Sequence, residues 1–231
     1  MSDFEIKIDS LCLDAGKKKV LEDVSITFNS GFTYLIYGRN GAGKSSLIEC
    51  LLNLNRSYNG TCTFLKDGEN LSAKNLKKTY LPEELEMPRG IRIKDFQNSF
   101  RMLLEAEQRF NKSLHKYICE KFELDSFDAK EIGHLSKGMK KLILISIVLS
   151  SESDLLVLDE PLEGLDTISK EYLIEVLINE AKKGRIIIIS SHEIATINNR
   201  FDRVISMRNG RITRVILKDE RLEYNELLSL I

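Results

Sequence analysis

The sequence has few of the features that stabilise a secreted domain or anchor one in a membrane. Its four cysteines lie far apart without a Cys-x-x-Cys pair, which argues against a disulfide framework or zinc site and predicts a reducing compartment. The first ten residues lack the basic start and apolar block of a secretory signal. The longest apolar run, 142–149, is much shorter than the ~20 residues that a membrane-spanning helix needs. We therefore expect a soluble, cytoplasmic chain, which a partner protein would have to hold at any membrane.

The sequence also lacks an excess of charge of either sign. Its 34 Lys and Arg residues nearly cancel 35 Asp and Glu residues, whereas nucleic-acid-binding modules are typically basic. No internal repeat, low-complexity tract or flexible linker divides the 231 residues, and this length suits one domain with a substantial core. We expect a single domain over 1–231 and no nucleic-acid partner.

The run Gly-Arg-Asn-Gly-Ala-Gly-Lys-Ser-Ser, 38–46, lies between an extended apolar segment and a helical pattern. In this context a G-x-x-x-x-G-K-S pattern is typical of a phosphate-binding loop. Its glycines let successive backbone N–H groups point inward, and the following helix N-terminus attracts anions. The pattern predicts the lysine at the β- and γ-phosphates and the first serine at Mg²⁺. The nucleotide-binding residues predicted here are Gly38, Asn40, Gly41, Ala42, Gly43, Lys44, Ser45 and Ser46.

The rest of the pattern predicts an α/β fold. Apolar segments at 4–8 and 20–36, separated by glycine-containing turns, indicate strands and hairpins, and short strands are expected near 61–65 and 78–81. A helix is expected from about 44 to 54, and charged helical spacing from 93 to about 124 predicts an inserted helical subdomain within about 90–150. The aliphatic runs 155–158 and 186–189 are typical of parallel strands buried on both faces, and Asn-Gly at 209–210 predicts a hairpin. We therefore expect a three-layer P-loop NTPase core with an antiparallel β subdomain and a helical subdomain.

Two carboxylates follow the aliphatic run 155–158. An acidic residue at the carboxyl end of a parallel strand faces the crevice where ligands bind. Asp159 is predicted to hold the Mg²⁺ coordination shell, and Glu160 to polarise the water that attacks the γ-phosphate. An Asp-Glu pair can instead be a solvated strand end, but the upstream phosphate-binding loop favours the catalytic interpretation.

Three further segments add to the phosphate-binding loop and to the strand that ends in the two carboxylates. Together the five segments resemble those of the nucleotide-binding subunits of ABC transporters, over nearly the whole chain. Leu-Ser-Lys-Gly-Met, 135–139, occupies the place of the LSGGQ signature, about 20 residues before the two carboxylates. Glu-Gly-Leu-Asp, 163–166, is similar to the D-loop, and Ser-Ser-His, 190–192, matches the switch-histidine segment. Each string alone is weak, whereas five in the correct order and spacing are specific.

The resemblance implies an ATPase that uses ATP and Mg²⁺ and dimerises head to tail with a second copy or a homologous subunit, enclosing two ATP molecules. Ser136, well placed to cap the helix 137–149, and Gly138 would act across the interface. Asp166 would help couple the two sites, and His192 would contact the γ-phosphate and the catalytic water. An integral membrane permease is the implied partner, which would hold the chain on the inner face of the cell membrane.

Several positions depart from the family pattern. Ala15 falls where an adenine-stacking aromatic residue is usual, and the loss of such a platform removes about 1–3 kcal/mol. Glu83 replaces a glutamine and either binds Mg²⁺ or water or belongs to a solvated acidic loop. Lys137 replaces a glycine and either adds charge beside the γ-phosphate or points into solvent, and Met139 cannot make the polar contacts of a glutamine. The Ser-Lys-Gly-Met signature and the Tyr-Leu-Pro-Glu loop resemble those of subunits that serve small bacterial exporters of peptides, antibiotics or lipid-linked compounds.

Two alternatives stay open. A soluble ABC-type ATPase acting on DNA or the ribosome is disfavoured by the absence of a long heptad insertion, a second cassette and a basic excess. A regulator that binds ATP without hydrolysing it is disfavoured by the intact acidic pair and switch histidine, although Ala15 and Glu83 leave that alternative open.

Overall fold

Two β-sheets organise the residues that the computed structural model describes, which are 3–16, 18–193 and 200–220. The strands are β1 Phe4–Ala15, β2 Lys18–Asn29, β3 Thr33–Tyr37, β4 Tyr58–Lys66, β5 Glu69–Leu71, β6 Lys78–Leu81, β7 Leu155–Leu158, β8 Ile186–Ser191, β9 Arg203–Arg208 and β10 Arg211–Leu217. The helices are α1 Lys44–Leu51, α2 Ile93–Ala106, α3 Lys112–Lys121, α4 Lys137–Leu149 and α5 Thr167–Ala181, with short 3₁₀ turns at Leu124–Phe127 and Ile132–His134.

The larger sheet has the strand order β10-β9-β3-β8-β7-β6. Its strands are parallel except β10, which returns antiparallel to β9. Leu156 and Leu158 of β7 pack in one hydrophobic cluster with α4 and α5, whereas Leu155 and Val157 pack in another with α1 and the smaller sheet. Because successive side chains of a strand point to opposite faces, this two-sided burial explains the unbroken aliphatic runs and confirms the predicted parallel strands.

The smaller sheet is antiparallel, with the order β2-β1-β4-β5, and packs on the α1 side of the core. Helices α2 and α3 pack against α4 on the other side. This arrangement confirms the predicted fold class of an α/β core with an antiparallel sheet and added helices. No helix among the described residues is both long and apolar enough to cross a membrane. The division of 1–231 into one domain with a helical part at about 90–150 stays a prediction.

Local expectations differ from the structure mainly at element ends. Helix α1 ends at Leu51, three residues before the predicted limit, and β4 extends beyond 61–65 on both sides. Strand β6 has the predicted bounds. The β9–β10 hairpin turns at Asn209 and Gly210 with φ of +49° and +77°, the positive values that a two-residue type I′ turn requires. The carbonyl of Gly210 accepts a hydrogen bond from Glu22 N at 2.9 Å, which ties this hairpin to β2.

Candidate nucleotide site

The predicted phosphate-binding loop connects the carboxyl end of β3 to the first turn of α1. Gly43 caps α1 with φ of +103°, a value that a residue with a side chain rarely adopts. Its carbonyl accepts the first helical hydrogen bond from Leu47 N at 2.9 Å. The loop therefore presents a helix N-terminus to a cavity of about 440 Å³.

That cavity collects most of the predicted nucleotide residues. Its volume lies within the range of small-molecule sites. The predicted Glu83 also lines it, and Gly38 lies beneath it, accepting a hydrogen bond from Lys44 Nζ at 2.8 Å. The full lining is Lys18, Lys19, Val20, Asn40, Gly41, Ala42, Gly43, Lys44, Ser45, Ser46, Glu83, Asp159, Glu160, Asn209 and Gly210.

The predicted catalytic side chains form one contiguous ionic group. Lys44 Nζ lies 3.2 Å from Glu160 Oε1, and His192 Nδ1 lies 3.0 Å from Glu160 Oε2. Lys44 is 7% exposed and Glu160 is 3% exposed. Because a buried charge without a counter-charge is strongly unfavourable, the pairing of Lys44 with Glu160 compensates for the burial of both side chains. Glu160 Oε1 has no hydrogen-bond partner among the described residues.

Ser190, at the end of β8, joins the two predicted carboxylate residues. Its hydroxyl donates a short hydrogen bond to Asp159 Oδ1 and accepts one from Glu160 N at 2.8 Å. The neighbouring backbone is fixed as well, because Asp159 N donates to Leu81 O of β6 at 2.8 Å. Sequence reasoning noted the two serines before the histidine but gave Ser190 no role of its own.

Lys141 of α4 is a second residue that sequence reasoning missed. Its ammonium donates to the backbone carbonyl of Glu160 at 2.7 Å and lies 4.0 Å from Glu163 Oε2. Burial lowers the pKa of Lys141, and the nearby Glu163 carboxylate partly opposes that change. The available signal was a lysine directly before the aliphatic run 142–145, on a helix face that must be buried.

The signature segment lies outside the cavity. Ser136 caps α4 as predicted, its hydroxyl accepting from Met139 N at 3.2 Å. A Cβ atom on Gly138 would lie 2.6 Å from Gly164 O, so only glycine allows this close packing against the D-loop segment. Lys137 is 65% exposed and pairs with Glu163 Oε1 at 3.3 Å. Neither expectation for Lys137 included this ion pair.

Asp166 also lies outside the cavity, where it caps α5. Its carboxylate accepts hydrogen bonds from Ser169 N at 2.9 Å and from the Ser169 hydroxyl at 2.7 Å. These bonds lower the pKa of Asp166. Ser136, Gly138 and Asp166 are thus exposed or half-exposed, and one copy of the chain does not bring them to its own phosphate-binding loop.

The position expected to stack on adenine has no aromatic residue. Ala15 is exposed at the end of β1, paired with Lys18 of β2. Lys18, Lys19 and Val20 line this side of the cavity, and none of the described lining residues is aromatic.

Comparisons with known proteins agree on one family. The profile of the ABC transporter family matches residues 21–163. The chain is 28% identical to the zinc import ATP-binding protein ZnuC of Wolbachia sp. subsp. Brugia malayi, over 90% of this chain and 82% of that protein. It is 29% identical to the lantibiotic transport ATP-binding protein SrtF of Streptococcus pyogenes, over 90% of this chain and 88% of that protein.

A solved structure described as the ATP-binding subunit of an ABC transporter superposes with a TM-score of 0.81 at 26% identity. The match covers 97% of this chain and 98% of that one. The chain therefore belongs to the ABC transporter family as an ATP-binding subunit, the component that hydrolyses ATP to power transport.

Proposed function

We propose that this subunit encloses ATP between two copies, or between itself and a homologous subunit, and drives a separate membrane permease. The observation that carries the proposal is the separation of the site into two parts. The phosphate-binding loop and carboxylates line one cavity, whereas the capped end of α4 is exposed away from it. A head-to-tail pair would place the exposed Ser136 and Gly138 of one copy opposite the cavity of the other.

ATP binding would rearrange the Lys44–Glu160 ion pair. Triphosphate oxygens would attract the Lys44 ammonium, leaving Glu160 beside His192. The Glu160 carboxylate would then accept the proton of the attacking water, while His192 contacts the γ-phosphate and helps orient that water. Asp166 would help couple the two sites, since it caps the helix next to the D-loop segment.

Three oxygen-bearing side chains that line the cavity, from α1, the loop after β6 and the end of β7, fit Mg²⁺ in chemical type. Ser45, Asp159 and Glu83 all line the cavity, and their hydroxyl and carboxylate oxygens are the hard donors that Mg²⁺ prefers. No cluster of three His, Cys, Asp or Glu side chains suited to a metal occurs in the described part of the chain. Because Mg²⁺ usually keeps several waters and binds substrate phosphates, one or two protein ligands suffice. Bound Mg²⁺ would neutralise charge on the phosphates.

The permease would dock beside the loop that follows β6. A second cavity of about 260 Å³ lies between this loop and α4, with an apolar part formed by Leu81, Pro82, Leu85 and Leu144. Exposed Met102 and Leu103 on α2 extend the apolar surface of the helical part. A docked permease would hold the subunit at the inner face of the cell membrane, and this function calls for no nucleic-acid partner.

We also propose that transport is outward and that the cargo is a peptide, an antibiotic or a lipid-linked compound. The support is the resemblance of the Ser-Lys-Gly-Met signature and Tyr-Leu-Pro-Glu loop to exporter subunits, together with the similarity to SrtF. The chain is about equally similar to ZnuC, whose name denotes import. Overall sequence identity therefore does not indicate the direction of transport. ATP-dependent uptake into everted membrane vesicles would support export, and uptake only into right-side-out vesicles would contradict it.

The variant Glu160→Gln tests the catalytic proposal. We expect it to bind ATP, to lose at least 100-fold in phosphate release, and to accumulate a dimer with Mg-ATP in light scattering. The matched control is Glu175→Gln, an exposed residue of α5 that should behave as wild type. Undiminished phosphate release from Glu160→Gln would remove Glu160 as the base.

Purification of the wild type from membranes without an integral membrane protein would contradict the permease proposal.

A further inference from the structure

Glu160 has an unusual backbone conformation for the residue that carries the reacting carboxylate. Its φ is +48°, in the left-handed region, which costs a residue with a side chain about 1–2 kcal/mol. Side chains bind both backbone groups of Glu160, and its carbonyl also accepts a longer backbone hydrogen bond from Glu163 N at 3.3 Å. Ser190 Oγ accepts from its N–H at 2.8 Å, and Lys141 Nζ donates to its carbonyl at 2.7 Å.

Burying the Lys141 side chain has a desolvation cost. It is 6% exposed and belongs to the buried face of α4, where an ammonium loses most of its hydration. The nearest carboxylate atom, Glu163 Oε2, is 4.0 Å away and makes no hydrogen bond among the described residues. The shortest polar contact of the Lys141 ammonium is therefore its hydrogen bond to the Glu160 backbone carbonyl.

We propose that Lys141 is a positioning residue for Glu160: its ammonium holds the Glu160 backbone so that the carboxylate faces the phosphate cavity. The inference rests on the proposed role of Glu160 as the base. Lys141 also lines the cavity beside the loop after β6, and it stands five residues after the Ser136 cap on the same helix. Lys141 therefore links the reacting carboxylate to two other places. One is the end of α4 that would meet the second ATP, and the other is the surface where the permease would dock.

The test compares Lys141→Met with Lys140→Met in the full-length protein. Methionine keeps the length and apolar stem of lysine but removes the ammonium, and Lys140 is a half-exposed neighbour on the same helix without an ion pair to another described residue. We expect Lys141→Met to lower kcat at least tenfold, with the KM for ATP and the affinity for a fluorescent ATP analogue changed less than twofold. Lys140→Met should match the wild type, and Lys141→Arg, which keeps a charged donor, should recover at least half of kcat.

A merely structural role for Lys141 gives a different result. A fall in kcat that matches the loss of folded, nucleotide-binding protein would overturn the proposal, as would a kcat equal to that of Lys140→Met or the absence of rescue by arginine. If Lys141→Met does not fold, Lys141→Gln, which keeps a neutral donor, takes its place: partial kcat with unchanged KM supports the proposal, and wild-type kcat or a raised KM overturns it. Failure of the proposed function itself is recognised separately, because then Glu160→Gln would retain turnover.

Discussion

Removing the Lys44 ammonium should destabilise the nucleotide-free protein as well as prevent phosphate binding. Lys44→Met keeps the apolar stem but removes the counter-charge that lies 3.2 Å from Glu160 Oε1, an atom with no hydrogen-bond partner among the described residues. Breaking a buried ion pair typically costs about 3–5 kcal/mol. His192 still lies 3.0 Å from the other carboxylate oxygen, so we expect a loss near the lower limit, about 3 kcal/mol.

Urea unfolding at pH 7 without nucleotide measures this loss, and a double-mutant cycle isolates the pair. Glu160→Gln in the Lys44→Met background removes the unpaired charge. The double variant should recover about 2 kcal/mol of the free energy of unfolding, since the effects of coupled neighbours are non-additive. Lys116→Met, which breaks an exposed ion pair with Glu120, is the control and should cost less than about 0.5 kcal/mol. A loss below about 1 kcal/mol, or no recovery in the double variant, would refute the view that the ion pair with Lys44 compensates for the burial of Glu160.

Three further predictions concern other parts of the chain. Ala15→Tyr should tighten ATP binding about 5- to 150-fold in calorimetry if a stacking platform contributes about 1–3 kcal/mol, and an unchanged affinity would show that another residue occupies that position. Ser136→Ala should lower the stability of the isolated subunit to urea by about 1 kcal/mol and reduce ATP-driven dimerisation in light scattering. Burial lowers the pKa of His115, so the folded state binds fewer protons than the unfolded chain; stability should fall as the pH drops below about 6.5, and His115→Gln should remove that part of the pH dependence in urea titrations.

The core sheet and the family could be predicted from the sequence, whereas the nucleotide contacts of the residues around the phosphate loop stay predictions. The aliphatic runs of β7 and β8 predicted strands covered on both faces, and the structure distributes alternate residues of β7 to two hydrophobic clusters. The order of the short segments led to the same family as the comparisons. These features depend on residues that are close together in the sequence, or on the spacing of segments along the chain, and could therefore be predicted from the sequence.

The residues that hold Glu160 from outside its own segment could not be predicted in this way. Lys141 is 19 residues from Glu160 and Ser190 is 30 residues away, and only the packing of α4 and β8 against the end of β7 brings them together. The partner of Lys137 was missed for the same reason, because the pair with Glu163 depends on the close approach of Gly138 to Gly164. The roles of Ser136, Gly138 and Asp166 stay predictions, since they concern contacts between two subunits.

The most direct measurement is a crystal structure of the Glu160→Gln variant grown with ATP and Mg²⁺. We predict that each γ-phosphate lies against Lys44 of one copy and against the Ser136 end of α4 from a second copy. A triphosphate surrounded by one chain alone, or bound away from residues 38–46, would contradict the proposal that two subunits share each nucleotide.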